Sequence, residues 1–85
     1  MDSYKIIKYP LSTEKSIRLM ESQNELIFVV DIKADKQMVK KAIEEMLKAK
    51  VDSVKTFVQN GEKRAYVKFS KESPAIDIAT QLGLM

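Results

Sequence analysis

The sequence predicts an α+β domain of four strands and three helices, with helices packed on both faces of a central strand. Three observations carry this reading. Asn60-Gly61 divides the stretch VDSVKTFVQNGEKRAYVKFS (Val51 to Ser70) into two β-rich runs, and Asn-Gly between alternating apolar residues marks a type I′ hairpin, because that turn requires positive φ at both central residues. The segment ELIFVVDI (Glu25 to Ile32) is apolar without interruption from Leu26 to Val30, where a strand with one wet face would carry a polar residue at Ile27 or Val29. Met38, Val39, Ala42, Ile43, Met46 and Leu47 recur at helical spacing, with Gln37, Lys40, Lys41, Glu44, Glu45 and Lys48 on the other half of the wheel.

Taken in order, Tyr4 to Ile7 is a short β-prone run that needs a partner strand, and Pro10 ends it. Ser12 or Thr13 caps a helix reaching about Met20, with Glu14 in the first turn, where a carboxylate favours the positive end of the helix dipole. Its inward stripe is Thr13, Ile17 and Met20, with Leu19 off the stripe; Gln23-Asn24 is the turn into the central strand. Asp35 caps the next helix, Lys36 to about Ala49, in which Glu44 and Lys48 stand in the favourable i, i+4 order. In the hairpin, Ala65, Val67 and Phe69 point to the core and Arg64, Tyr66 and Lys68 to the opposite face; Val54, Thr56 and Val58 alternate with Lys55 and Phe57 on the first run. Ser73-Pro74 provides a cap and an N1 proline for a last short helix, carrying Ile76, Ala79 and Leu82 inward and stopping at Gly83 with Leu84 folded back. The order is strand, helix, strand, helix, strand, strand, helix, with short connections and no repeats or linkers, so residues 1–85 read as one domain.

Composition removes several function classes. A chain of 85 residues has little room for a large cofactor, and none is expected. The formal charge of +3, from 15 basic and 12 acidic residues, is a mild excess, so any nucleic-acid reading rests on where the cations sit. Without cysteine or histidine there is no disulfide, no thiolate, and neither the commonest metal ligand nor the commonest general base, so no metal site is expected. Glycine-rich phosphate loops and paired carboxylates are also missing, and Asp35 and Asp52 serve as a cap and a turn residue, which argues against an enzyme. The opening MDSYKIIKYP lacks an apolar run of signal-peptide length and no stretch approaches a membrane span; the expectation is a soluble, cytoplasmic protein with no membrane insertion. The helix after Asp35 mixes Lys with Glu on its polar side and has no Trp or Phe at the boundary, so it reads as a core helix, not a membrane-surface element.

Lys55, Lys63, Arg64 and Lys68, with Tyr66 and Phe57, make a cationic and aromatic surface of the hairpin, a combination that holds phosphate and stacks on bases. A solvated strand face also carries Lys and Arg, and edge lysines guard against aggregation, so both readings stand on the residues alone. Phe57 is expected to pack partly beneath a helix. A second basic group, Lys5, Lys8, Lys15 and Arg18, surrounds the first strand and helix and reads either as scattered surface charge or as a second contact.

Pro10-Leu11-Ser12-Thr13-Glu14-Lys15, VDSVKT (Val51 to Thr56) and Lys63-Arg64-Ala65-Tyr66-Val67, met in this order, resemble the universal large-subunit ribosomal protein twenty-three family from about Ile6 to Leu84. The resemblance implies an antiparallel four-stranded sheet between helix layers. It further implies a structural, ribosome-bound rRNA-binding role at the rim of the peptide exit tunnel beside neighbouring ribosomal proteins, with Lys8, Lys15, Arg18, Lys55, Lys63, Arg64, Tyr66 and Lys68 on rRNA. Ser12, Thr13 and Glu14 match the family's docking point for nascent-chain factors, here the signal recognition particle and the protein-conducting channel. By itself, without the resemblance, Glu14 reads first as a helix-start carboxylate. Bacterial members carry a long extension between the last two strands; the Asn60-Gly61 turn marks a short, archaeal-type form without a finger into the tunnel. The alternative is a free-standing α+β RNA-binding module, which calls for a wide, uncovered sheet face with two or more stacking aromatics.

Overall fold

The central strand dictates the architecture. In the computed structural model, which describes residues 3–83, Glu25–Val30 (β2) lies inside a four-stranded antiparallel sheet and is buried on both faces. Leu26, Phe28 and Val30 enter the main core; Ile27 and Val29 point the other way and are still only 3% and 2% exposed. Around β2 the chain adds a helical turn Ser3–Ile6 (α1), strand Ile7–Pro10 (β1), helix Glu14–Gln23 (α2), helix Lys36–Leu47 (α3), strands Val51–Gln59 (β3) and Glu62–Phe69 (β4), and helix Ala75–Gln81 (α4). Apart from the single turn α1, this is the expected order of four strands and three helices. The sheet order is β1-β2-β4-β3, so the hairpin joins β2 through its second strand and leaves β3 at the edge.

The hairpin closes as its chemistry requires: Asn60 and Gly61 have φ of 53° and 75°, and Gln59 pairs with Glu62 across the turn. α3 and α4 bury their apolar sides against Phe28, Val67 and Phe69, and Met20 of α2 joins the same core. Lys15, the second residue of α2, instead lies over Tyr66 on the opposite sheet face, so helical residues reach both faces as expected.

Four local expectations shift. Tyr4 to Ile7 is not a strand: residues 3–6 form a turn packed against α3, and pairing with β2 begins only at Ile7 and runs to Pro10, which an edge strand tolerates at its end. The inward side of α2 is Ser16 and Met20, with Leu19 half-buried and Ile17 exposed. A serine can face inward because it belongs to a capping box: its backbone N–H donates to the Thr13 hydroxyl (3.2 Å), while the Thr13 N–H donates to Ser16 Oγ (2.8 Å). Asp35 caps α3 as expected, accepting from Met38 N–H at 2.8 Å, but the helix stops at Leu47 with Lys48 in the left-handed region (φ 50°). The Glu44 carboxylate accepts from Val51 N–H at 3.4 Å, tying α3 to β3 in place of the helix pair expected with Lys48.

The last helix shows why local pattern misleads at a junction. α4 buries Ala75, Ile78 and Ala79 and leaves Ile76 exposed; Leu82 is half-buried, and Leu84 lies outside the described residues. Pro74 stands at the N-cap, where it has no side-chain donor or acceptor to offer. Ser73 does not cap the helix, because its hydroxyl accepts from Lys50 N–H at 2.9 Å. The first N–H of α4, that of Ala75, donates instead to Asn24 Oδ1 at 2.6 Å, across 51 residues. Asn24 Nδ2 meanwhile donates to the carbonyls of Phe69 (3.0 Å) and Ser70 (3.1 Å). One side chain thus holds together the end of α2, the end of β4 and the start of α4.

Candidate nucleic-acid interface

Antiparallel pairing puts directly opposed residues on the same face. Phe57 opposes Arg64, Lys55 opposes Tyr66, and Ser53 opposes Lys68 across β3 and β4; on the other side of β4, Val29, Ile27 and Glu25 oppose the same three residues. The face away from the core therefore carries Lys55, Arg64, Lys68, Phe57 and Tyr66 on β3 and β4, while Ile27 and Val29 beside them on β2 are buried. Tyr66 sits at the centre of that face. The Phe57 ring meets it edge-on, with centroids 5.2 Å apart and planes at 80°, and the Lys15 ammonium stands 5.3 Å from its centroid. Phe57, Tyr66, Lys15, Lys55, Arg64 and Glu25 line an open cleft of about 490 Å³, with Lys68 on the same face but outside its lining.

Arg64 is held at the cleft by Glu62, whose Oε1 accepts from Nε at 2.9 Å. That hydrogen bond raises the guanidinium pKa above its already high ordinary value, so the charge is permanent. The terminal amino groups of Arg64 have no hydrogen-bond or ion-pair partner among the described residues and can meet an anion.

The expected cations divide between locations. Lys55, Arg64 and Lys68 share the face, and Lys15 joins them from α2, although it was grouped by sequence with the first strand and helix. Lys63 does not belong there. One residue out of phase with Arg64, it lies on the core side of the sheet opposite Val30 and Val58, and its ammonium donates to the Ala34 carbonyl at 2.6 Å. Lys8 is exposed on β1 and borders a separate hollow near the hairpin tip with Tyr9, Ile32 and Asn60. Arg18 is engaged on the outside of α2 by Glu14, at 2.7 Å. Ser12, Thr13 and Glu14 form an exposed corner at the start of α2; the Thr13 hydroxyl is used by the cap, and the Glu14 side chain is 81% exposed even with Arg18 beside it.

Phe57 was undervalued by sequence reasoning. It does not lie beneath a helix: the residue is 55% exposed, and it is the accessible aromatic of the face, whereas Tyr66 is half-buried with Lys15 over its ring. The signal was present in the alternation that sets Phe57 in phase with Lys55, but only the tertiary structure, with β3 at the sheet edge, leaves it more than half exposed. Glu25 was also missed, since it becomes part of the cleft only through pairing with Lys68.

Among the described residues no group of three or more Asp, Glu, His or Cys could hold a metal ion, and no helix is long and apolar enough to cross a membrane. A domain that reserves one sheet face for its core and opens a cationic, aromatic cleft over β3 and β4 on the other has the build of a nucleoprotein component. The chain belongs to the ribosomal protein L23 family, whose model matches residues 5–80. It is accordingly a structural protein of the large ribosomal subunit, associated with the ribosome and its rRNA, and its family is a non-enzymatic one.

Proposed function

We propose that the open sheet face is the rRNA-binding surface and that the corner before α2 is a docking point at the polypeptide exit. The carrying observation is that Lys15, Lys55 and Arg64 line one cleft with exposed Phe57, with Lys68 further along the same side of the sheet, away from the core. Lysine and arginine there neutralise phosphates, and positioning on folded RNA proceeds through backbone and shape more than through base edges. Lys8 and Arg18 add peripheral contacts, and Tyr66 supports the stacking surface. Lys63 contributes indirectly, by bracing the loop before α3. Family membership supports an assembled ribosomal role over a free-standing RNA-binding module. The test is a salt wash: the native protein co-sediments with large subunits at moderate salt, and its recovery wholly in the soluble fraction would contradict this reading.

For the docking role, Ser12, Thr13 and Glu14 face the signal recognition particle and the protein-conducting channel, next to neighbouring proteins of the tunnel rim. Glu14 is the member of this corner with a free charge to offer, since a cationic partner competes only with the exposed Arg18 for its carboxylate. Glu14→Lys is expected to weaken binding of the particle to purified ribosomes about tenfold, roughly 1.4 kcal/mol. The fold should survive, because losing a first-turn carboxylate and an i, i+4 pair costs about 1 kcal/mol. Wild-type affinity of Glu14→Lys ribosomes for the particle would remove the docking role.

A further inference from the structure

Whether the cleft only neutralises backbone charge or also receives a base depends on what lies between its cations. We infer that it takes a single unpaired nucleotide, with the base stacked on Phe57, the phosphate held by Arg64 and Lys55, and the base edge read by Glu25. This rests on the reading of the open face as an RNA surface and assigns it a ligand. Four features support it. The cleft, at about 490 Å³, falls within the range of roughly 300–1,000 Å³ typical of small-molecule sites. A concave site of that size cannot accept a base still paired in a helix, whose faces are stacked on its neighbours. Phe57 presents an exposed ring held by its edge contact to Tyr66, so a stacking surface exists before any ligand arrives. Arg64, oriented through Nε by Glu62, keeps its terminal amino groups for a phosphate, and Lys55 flanks Phe57 on the same face of β3.

Glu25 is the discriminating feature. The Glu62 carboxylate is used up in orienting Arg64, whereas Glu25 borders the cleft and has no side-chain hydrogen bond or ion pair among the described residues. An ionised carboxylate only accepts hydrogen bonds. Of the four bases, guanine alone offers two adjacent donors on its pairing edge, N1–H and the N2 amino group. Uracil offers one N–H between two carbonyls, which the carboxylate repels. The cleft therefore favours guanine.

The test titrates the full-length protein with guanosine monophosphate, uridine monophosphate and inorganic phosphate at fixed ionic strength, following the ring resonances of Phe57 and Tyr66. Guanosine monophosphate should shift both rings and bind about fivefold more tightly than uridine monophosphate, with Glu25→Gln erasing that preference. Phe57→Ala should weaken nucleotide binding at least about fivefold, and Phe57→Leu should not restore it, since leucine keeps the apolar bulk but not the ring. The salt dependence of binding to large-subunit rRNA should be unchanged in both Phe57 variants. Inorganic phosphate binding as tightly as the nucleotides, or nucleotide shifts that persist in Phe57→Ala, would overturn the assignment. Failure of the underlying RNA reading looks different: rRNA binding would be indifferent to Lys55, Arg64 and Lys68, while guanosine monophosphate still bound at Phe57.

Discussion

Asn24→Ala should destabilise the domain by roughly 3–4 kcal/mol, from lost hydrogen bonds at about 1 kcal/mol each and a left-handed backbone costing alanine about 1 kcal/mol more. Asn24 has φ 57° and ψ 38°, a conformation asparagine adopts readily and alanine does not. Its side chain donates to the Phe69 and Ser70 carbonyls and accepts from Ala75 N–H, while its own carbonyl receives the Phe69 N–H at 3.1 Å. A domain of this size has a total stability on the order of 4–13 kcal/mol, so the loss is a large share of it. Asn24→Gly separates the two causes: it relieves the backbone strain and should recover about 1 kcal/mol relative to alanine. Asn24→Asp keeps the acceptor for Ala75 but turns the donor into an oxygen facing two carbonyls, and should be no better than glycine. Urea unfolding midpoints at constant m-value read the series. A loss below about 1 kcal/mol for alanine would mean that water replaces the side chain at this junction.

The second large effect falls on binding. Replacing Lys55, Arg64 and Lys68 together by glutamine should lower affinity for large-subunit rRNA on the order of a thousandfold, at about 1.5 kcal/mol for each charge-assisted contact. The slope of log affinity against log salt should flatten by about 2–3, since that slope counts the phosphates neutralised. None of the three side chains is in the core cluster, so the variant should remain folded. Lys63→Met is the internal control. Although adjacent to Arg64 in sequence, Lys63 is engaged with Ala34 on the other side of the sheet, so its loss should leave the salt slope intact and lower stability instead, by about 1–2 kcal/mol. A triple variant with the wild-type slope would remove this face from the rRNA contact.

The contrast between Arg64 and Lys63 also marks how far the sequence could be read. Strict alternation over Lys63 to Phe69 already assigns Lys63 to the face of Ala65 and Val67; grouping it with Arg64 followed charge and ignored phase. Ile17 and Ile76 failed differently. Both are apolar residues on short helices where two candidate stripes compete, and both proved exposed because a neighbour took the inward position: Ser16 through its cap, and Ile78 because a remote asparagine sets the start of α4. Hydropathy alone cannot rank Ser16 above Ile17, since it does not record that a hydroxyl is already hydrogen-bonded.

By itself the sequence determined the element order, the double-sided burial of Leu26 to Val30, the Asp35 cap and the tight Asn60-Gly61 turn, and it carried the marks of the ribosomal protein L23 family. These depend on periodicity and turn chemistry acting over a few residues. Only the tertiary structure decided that Lys15 comes to rest over Tyr66, that Phe57 stays open at the edge, that Glu25 enters the cleft, and that Asn24 caps a helix 51 residues away. Each of these is a contact between segments distant in the chain, and its partner is selected by sheet order and packing, which no local pattern encodes.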